Sequence, residues 1–380
     1  MSKLFLLFAI LYIGQFVLRT IFAIIYYKKN NNNFMNANHE EEFCIVQALK
    51  SGDDKFEDNL KNNLDNFSKA KFVWLIDKID INAIAIANDF QKSYSNIEIV
   101  LIDDIPNNVN PKTYKLNFSI PYLKKYCIFL DDDCVINNKH LSLFYQILHK
   151  NNCVISTVPY YKSEGFWNNL LATSANMNSI LFYLPTALMN DIKTITGMCY
   201  ITTNDVIVRT KVFEKTKDKL FDDLAFFDVC LENNIEIYQS IMPNINCIEI
   251  KNIKQYVETI KRWNVFANMH IIKYLCPLKF TIVTVAMCLP MIMLILSIIL
   301  GIKYFILLLT IHFIKTFILI HLRQKFIGIK ERPNIIIYEF LAEHIQIFTE
   351  IYTIFNGNKF KWRDKIVKIK GNEFVFEEIK

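Results

Sequence analysis

Apolar positions fall into two kinds of run along the chain. Two runs are long, 4–25 and 280–320, and each can cross a hydrocarbon core, for which about 20 apolar residues suffice. Residues 4–25 exceed the roughly 7–15 residues of a signal-peptide core and lack a small-x-small cleavage site, so they predict an uncleaved anchor. Lys28 and Lys29 follow it and place the next segment on the cytoplasmic side. Gly301, Ile302 and Lys303 divide the second run into a hairpin of two spans, 280–300 and 304–320, giving three spans in all. Arg323, Lys325, Lys330 and Arg332 then return the chain to the cytoplasmic side. Two helices lying in the interface are the alternative, and Pro290 bends one of them in either case.

Short apolar runs occupy 44–49 (CIVQAL), 72–76 (FVWLI), 97–102 (IEIVLI), 126–130 (YCIFL) and 153–158 (CVISTV). They alternate with stretches of helical character, which predicts an α/β domain with a mostly parallel sheet. Ligands of such sheets gather beyond the carboxyl ends of the strands. The resulting division is an anchor at 1–27, a linker at 28–40, a cytoplasmic domain at 41–278, a hairpin at 279–322, and an interfacial helix with a cytoplasmic tail at 323–380. In that last part, 335–355 is apolar over most of a helix yet keeps Glu339, Glu343, His344 and Glu350, so it either lies at an interface or packs on the hairpin. Residues 164–189 are unusually apolar and form either core or the floor of an acceptor site. Arg19 in the first span pairs with Gln15 or snorkels to the interface.

Composition narrows the function classes. The 380 residues are 52% apolar, with a net charge of +6 whose basic residues are interleaved with acids except beside the apolar runs. A membrane surface therefore fits as a partner, and nucleic acid does not. Nine cysteines are dispersed without a CxxC pair and read as reduced and structural, and seven histidines show no metal-ligand spacing. Eight glycines include no G-x-G-x-x-G and no G-x-x-x-x-G-K-[ST], which excludes dinucleotide cradles and P-loops. Phosphate must then be neutralised otherwise, and carboxylates holding a divalent metal are one route. The Asn-rich stretch 28–38 is a linker by composition, and the Ile, Lys and Asn bias points to a bacterial inner membrane.

Candidate chemistry sits in three places. Asp131, Asp132 and Asp133 follow YCIFL directly, and Asp131 with Asp133 can reach a metal from a tight turn. A solvated turn or a helix N-terminus is the plain alternative. Asp222 and Asp223 open an amphipathic stretch that leads to another strand, either as cap and first turn or with a general base among them. Arg262 beside Trp263 offers charge for a diphosphate and a wall for an apolar acceptor, or an ordinary interfacial anchor.

Together these segments resemble the ceramide glucosyltransferase family and its bacterial relatives acting on ceramide or hopanoid lipids. The landmarks run in family order: ALKSGDDKFEDNL at 48–60, WLIDKIDINAIAI at 74–86, NPKTYKL at 110–116, FLDDDCVI at 129–136, TITGMCYITTNDVI at 194–207, FDDLAFF at 221–227, TIKRW at 259–263 and KWRDKIVKI at 361–369. The resemblance implies a GT-A, Rossmann-like nucleotide-sugar domain, a UDP-sugar donor (UDP-glucose first), a divalent metal (Mn²⁺ or Mg²⁺) and a lipid acceptor. By position it assigns the nucleotide-binding acid to Asp80 first and Asp77 second. Lys50, Asn110 and Lys112 fall beside the nucleotide, Asp131 and Asp133 at the metal. Asp223 falls at the general base, and Arg262 and Trp263 at the end of the (Q/R)xxRW motif. Two positions depart from the pattern, Thr259 where Gln or Arg is expected and Gln47-Ala48 where Lys-Pro is. A polysaccharide synthase or an inert membrane scaffold of the same fold are the rivals.

Overall fold

In the computed structural model, all five short apolar runs are strands, and burial on both faces explains all but the one at 97–102, which is an edge strand only partly covered, because strands covered on both faces need no polar alternation. β1 (Phe43–Leu49), β2 (Lys71–Asp77), β3 (Ile97–Ile102), β4 (Tyr126–Leu130) and β6 (Cys153–Tyr161) coincide with those runs. β5 (Cys134–Val135), β7 (Cys199–Thr203) and β8 (Glu236–Asn246) complete an eight-stranded mixed sheet of order β3-β2-β1-β4-β7-β6-β8-β5. β3, β2, β1 and β4 are parallel neighbours, as are β6 and β8, whereas β7 runs antiparallel to both β4 and β6. The structure describes residues 1–31, 39–106, 108–162, 164–192, 194–247, 249–362, 365–370 and 373–378.

Strand order reverses beside β1: β2 and β3 lie to one side and β4 to the other. A crevice at the carboxyl ends of the two strands follows from this reversal. Lys50 leaves β1 there and Asp131 leaves β4 there. On one face of the sheet Trp74 and Phe72 are buried with Leu60 of the helix Phe56–Asn66, beside Ile81–Ser93. On the other, Phe129 is buried with Phe213 of Val212–Thr216 and Phe226 of Asp222–Glu232. Gln47, the departure noted above, is fully buried and accepts the Trp74 indole N–H at 3.0 Å. All nine cysteines are free.

Among the described residues three helices are long and apolar enough to cross a membrane: Ser2–Asn30, Pro277–Leu300 and Ile302–Ile327. Their limits correct the sequence reading. The first continues through Lys28 and Asn30, into the expected linker, and residues 32–38 of that linker lie outside the described residues. Gly301 alone joins the hairpin, at φ 92°, a left-handed angle that favours glycine. The last helix runs on past Arg323 and Lys325 to Gly328, its left-handed C-cap, so these basic residues belong to the helix and not to a tail.

Arg19 bonds to a neighbouring helix and its preceding turn, not to Gln15. Its Nε donates to the Leu181 carbonyl at 2.7 Å and its Nη2 to Asn178 Oδ1 at 3.2 Å, tying the first helix to Ser179–Leu188. The helix Ile335–Asn356 packs on Phe166–Asn176 through apolar residues, Ala342, Leu341 and Ile345 among them, and on the hairpin through its polar ones. Glu343 accepts the Tyr12 hydroxyl at 2.5 Å and meets Lys315 Nζ at 2.6 Å. Fully buried Arg323 meets Glu331 at 3.0 Å and Glu339 at 2.7 Å. The expected C-terminal tail is instead a three-stranded antiparallel sheet, β9 (Lys359–Trp362), β10 (Lys365–Lys370) and β11 (Glu373–Glu378). Phe360 and Val367 bury it against Val265 and Phe221, because alternate positions of these short strands are apolar.

Candidate active site

A cleft of about 1780 Å³ opens at the carboxyl ends of β1 and β4. Asp131 begins a tight turn in which the Cys134 N–H donates to the Asp131 carbonyl at 3.2 Å. The turn sends its three acids in different directions. Asp131 and Asp133 line the cleft, while buried Asp132 turns inward and accepts the Lys50 backbone N–H at 2.8 Å.

Asp222 and Asp223 are the first two residues of the helix Asp222–Glu232, and both line the cleft. The cap residue is Phe221, not Asp222 as expected. Asp223 is held by the Leu224 N–H at 2.7 Å and presses on Gly197, where a Cβ would stand 2.9 Å from Asp223 Cβ. Glycine at 197 is therefore what leaves room for this carboxylate.

Lys112 sits among these acids. Its Nζ lies 2.6 Å from Asp131 Oδ1 and 2.9 Å from Asp222 Oδ2, and donates to the Gly197 carbonyl at 2.7 Å. Burial works against the ammonium, but the two carboxylates outweigh it and hold Lys112 well above its ordinary value. One lysine does not balance the group. Burial, with Asp133 and Asp222 nearby, pushes Asp131 up to about 7 against the pull of Lys112. Burial and the charge of Asp222 likewise push Asp223 up to about 7.

The opposite wall comes from the helix Ile253–Tyr274, which brings Thr259, Arg262, Trp263 and Phe266 to the cleft. The Trp263 ring lies 5.1 Å from that of Tyr161, at a tilt of 54°. Tyr161 is pushed well above its usual range by burial and then by Asp133, with Arg262 opposing. Tyr183, from Ser179–Leu188, also lines the cleft and is pushed up to about 12 by burial and then by Asp223.

The nucleotide-side residues divide. Asp77 lines the cleft and pairs with Lys115 Nζ at 3.0 Å, whereas Asp80, the first choice, caps Ile81–Ser93. Asp80 accepts the Ser51 hydroxyl at 2.5 Å and the N–H groups of Ser51 and Ala83, so it shapes the loop after β1 from behind. Lys50 lines the cleft. Asn110 is fully buried, accepts the N–H groups of Lys112 and Thr113, and donates to the Leu220 carbonyl at 3.1 Å. It positions Lys112 and is not part of the cleft wall.

The sequence assigns no role to Gly197, Tyr161 or Tyr183, which line the cleft, nor to Lys361 and Trp362, which line it from β9 and not from a tail. The scarcity of glycine was the one available signal for Gly197.

Among the described residues no three His, Cys, Asp or Glu side chains form a ready-made metal cluster. The donor set still fits a hard divalent cation: Asp131 and Asp133 offer carboxylate oxygens beside Asp222 and Asp223, with more negative charge than Lys112 offsets.

A family model described as glycosyl transferase family 21 matches residues 8–375. The chain belongs to that family. It is therefore a glycosyltransferase, and its fold agrees. A mannosyltransferase from Pyrobaculum calidifontis, solved with GDP-Man and Mn²⁺, superposes at a TM-score of 0.51 and 10% identity, over 92% of this chain and 98% of that one. S. aureus TarS 1–349 with UDP-GlcNAc gives 0.38 at 12% identity, over 89% and 100% of the two chains. The galactosyltransferase LgtC with donor and acceptor sugar analogues gives 0.32 at 14% identity, over 52% and 72%. The first of these likenesses speaks for the GT-A fold alone, and no curated protein matches the chain.

Proposed function

We propose that this family 21 glycosyltransferase transfers glucose from UDP-glucose to a hydroxyl of a membrane lipid such as ceramide or a ceramide-like or hopanoid lipid, with inversion. Asp223 carries the reading. Its carboxylate lines the cleft, is tuned to about 7, and faces the same space as Asp131, Asp133 and Arg262. A group poised near neutral pH suits a general base.

In this mechanism Asp223 takes the proton of the acceptor hydroxyl as its oxygen attacks the anomeric carbon. Gly197 keeps Asp223 in place. Arg262 and Lys112 set positive charge against the departing diphosphate, and Trp263 with Tyr161 walls off water. Asp77 and Lys50 take the nucleoside end, with Asp80 and Asn110 bracing the loops that carry Lys50 and Lys112. When bound, a divalent cation on Asp131 and Asp133 supplies Lewis-acid stabilisation of the leaving phosphate oxygens. Attack opposite to departure inverts the anomeric centre, so an α-linked donor yields a β-linked product. Three helices long enough to span, with Lys28 and Lys29 ending the first, support a multi-pass protein of a bacterial inner membrane whose catalytic domain is cytoplasmic.

Membranes containing the protein, incubated with UDP-sugars and ceramide and analysed by lipid mass spectrometry, test this. β-Glucosylceramide is the expected product. Absence of any glycosylated lipid across donors and lipid classes would overturn the acceptor assignment.

A further inference from the structure

Behind Trp263 lies a second, smaller cavity of about 160 Å³ that the mechanism above does not use. Tyr256, Ile260, Trp263 and Asn264 line it from one face of the Ile253–Tyr274 helix, in keeping with helical periodicity, and Gln346 and Thr349 line it from Ile335–Asn356. Its volume is below the ~300–1,000 Å³ of a pocket for a drug-sized molecule, so it suits part of a ligand. Trp263 and Ser174 are shared with the large cleft, so an occupant of the small cavity can be continuous with one in the cleft.

The helix carrying Gln346 and Thr349 has a second side. It exposes Phe348 at 61%, Ile354 at 68% and Phe355 at 79%, large apolar side chains that water would not favour. The same helix packs on the hairpin, so this exposed face continues the lipid-facing surface of the spans. The small cavity thus lies between a bilayer-facing helix and the catalytic cleft.

We propose that it is the subsite for the part of the acceptor lipid next to its head group. Tyr256 and Ile260 hold the first carbons of an aliphatic chain, and Asn264, Gln346 and Thr349 offer hydrogen bonds to the amide or hydroxyl where chain joins head. The lipid then approaches Asp223 from the bilayer past Ile335–Asn356, with Trp263 between its chain and the sugar nucleotide. This rests on the lipid-acceptor reading.

The test uses the full-length protein in lipid nanodiscs with a ceramide bearing a photoactivatable diazirine near its amide, crosslinked in the presence of UDP and mapped by mass spectrometry. Labels are expected on the peptides carrying Tyr256 to Asn264 and Gln346 to Thr349. Ala267→Phe, which fills the cavity from residue 267 in its wall, should remove them and raise the KM for ceramide roughly tenfold while leaving the KM for UDP-glucose unchanged. Labels confined to the three spans, with glucosylceramide still formed, would overturn the subsite and leave the function intact. The same labels with no glycosylated lipid would overturn both. If Ala267→Phe does not fold, the map on the unmodified protein decides alone.

Discussion

Two partly or fully buried clusters of opposite charges differ in how far the charges balance. Where the first and last membrane-adjacent helices meet, Lys315 answers Glu343, with the Tyr12 hydroxyl completing the contact. Burial alone would raise Glu343, but Lys315 outweighs it and holds the carboxylate well below its usual range. In the cleft, Lys112 is shared by Asp131 and Asp222, with Asp133 and Asp223 adding further charge. There burial and like charge win, and Asp131 and Asp223 rise to about 7. The Glu343 carboxylate is thereby held ionised, whereas Asp131 and Asp223 can exchange protons near neutrality. Between these two clusters, the number of carboxylates sharing one lysine, more than the burial of an acid as such, separates the tunable group from the fixed one.

The contrast breaks most sharply at Asp223. Asp223→Asn keeps the shape and removes the base, so glucosyl transfer should fall by about 10²–10⁴-fold while UDP-glucose binding persists, measured by product formation and calorimetry. Unchanged turnover would sink the assignment. Next in size is Gly197→Ala, whose Cβ would stand 2.9 Å from Asp223 Cβ. Displacement of the base should lower kcat by roughly 10²-fold with the donor KM unchanged.

A smaller effect is expected from Lys112→Met. Asp223 must be ionised to accept a proton, so kcat/KM in the native enzyme should rise with pH and level off above about 7. Loss of the ammonium should move that limb upward by about one unit. Linkage gives an independent check of the same group. Because folding raises the Asp223 value from 3.8 to about 7, the stability it supports is present below 3.8 and lost as pH rises through about 7. Asp223→Asn should therefore unfold at a higher temperature than the native protein at pH 8, and show little difference at pH 3.

The least effect on chemistry belongs to the other cluster. Glu343→Gln leaves Lys315 without its counter-charge, which should cost about 3–5 kcal/mol of stability. Turnover per folded molecule should stay within twofold of native. A drop in kcat with unchanged thermal stability would erase the distinction between the clusters.

Much of this was legible in order along the chain. YCIFL followed by three acids already marked a strand that delivers carboxylates to a sheet edge, and Asp131, Asp133, Asp223, Arg262 and Trp263 do line one cleft. The choice between Asp77 and Asp80 was not legible, because capping a helix and lining a cleft are alternatives that a three-residue difference in sequence does not separate. Lys361 and Trp362 were hidden for another reason. Their strand is short, alternates apolar and polar residues like a solvated segment, and acquires its role only by docking on Val265 and Phe221.

The sequence by itself determined five strands of the large sheet, the three apolar runs of membrane length and the kinds of side chain available, because burial period and run length are local properties. Tertiary structure alone decided their charge state. Lys112 meets the Gly197 carbonyl across 85 positions of chain, and Asp131, Asp222 and Asp223 share its field only because β4 and the Asp222–Glu232 helix end at the same crevice. The shift of a carboxylate toward 7 depends on desolvation and on neighbouring charges in space, and neither is written in the spacing of residues along a chain.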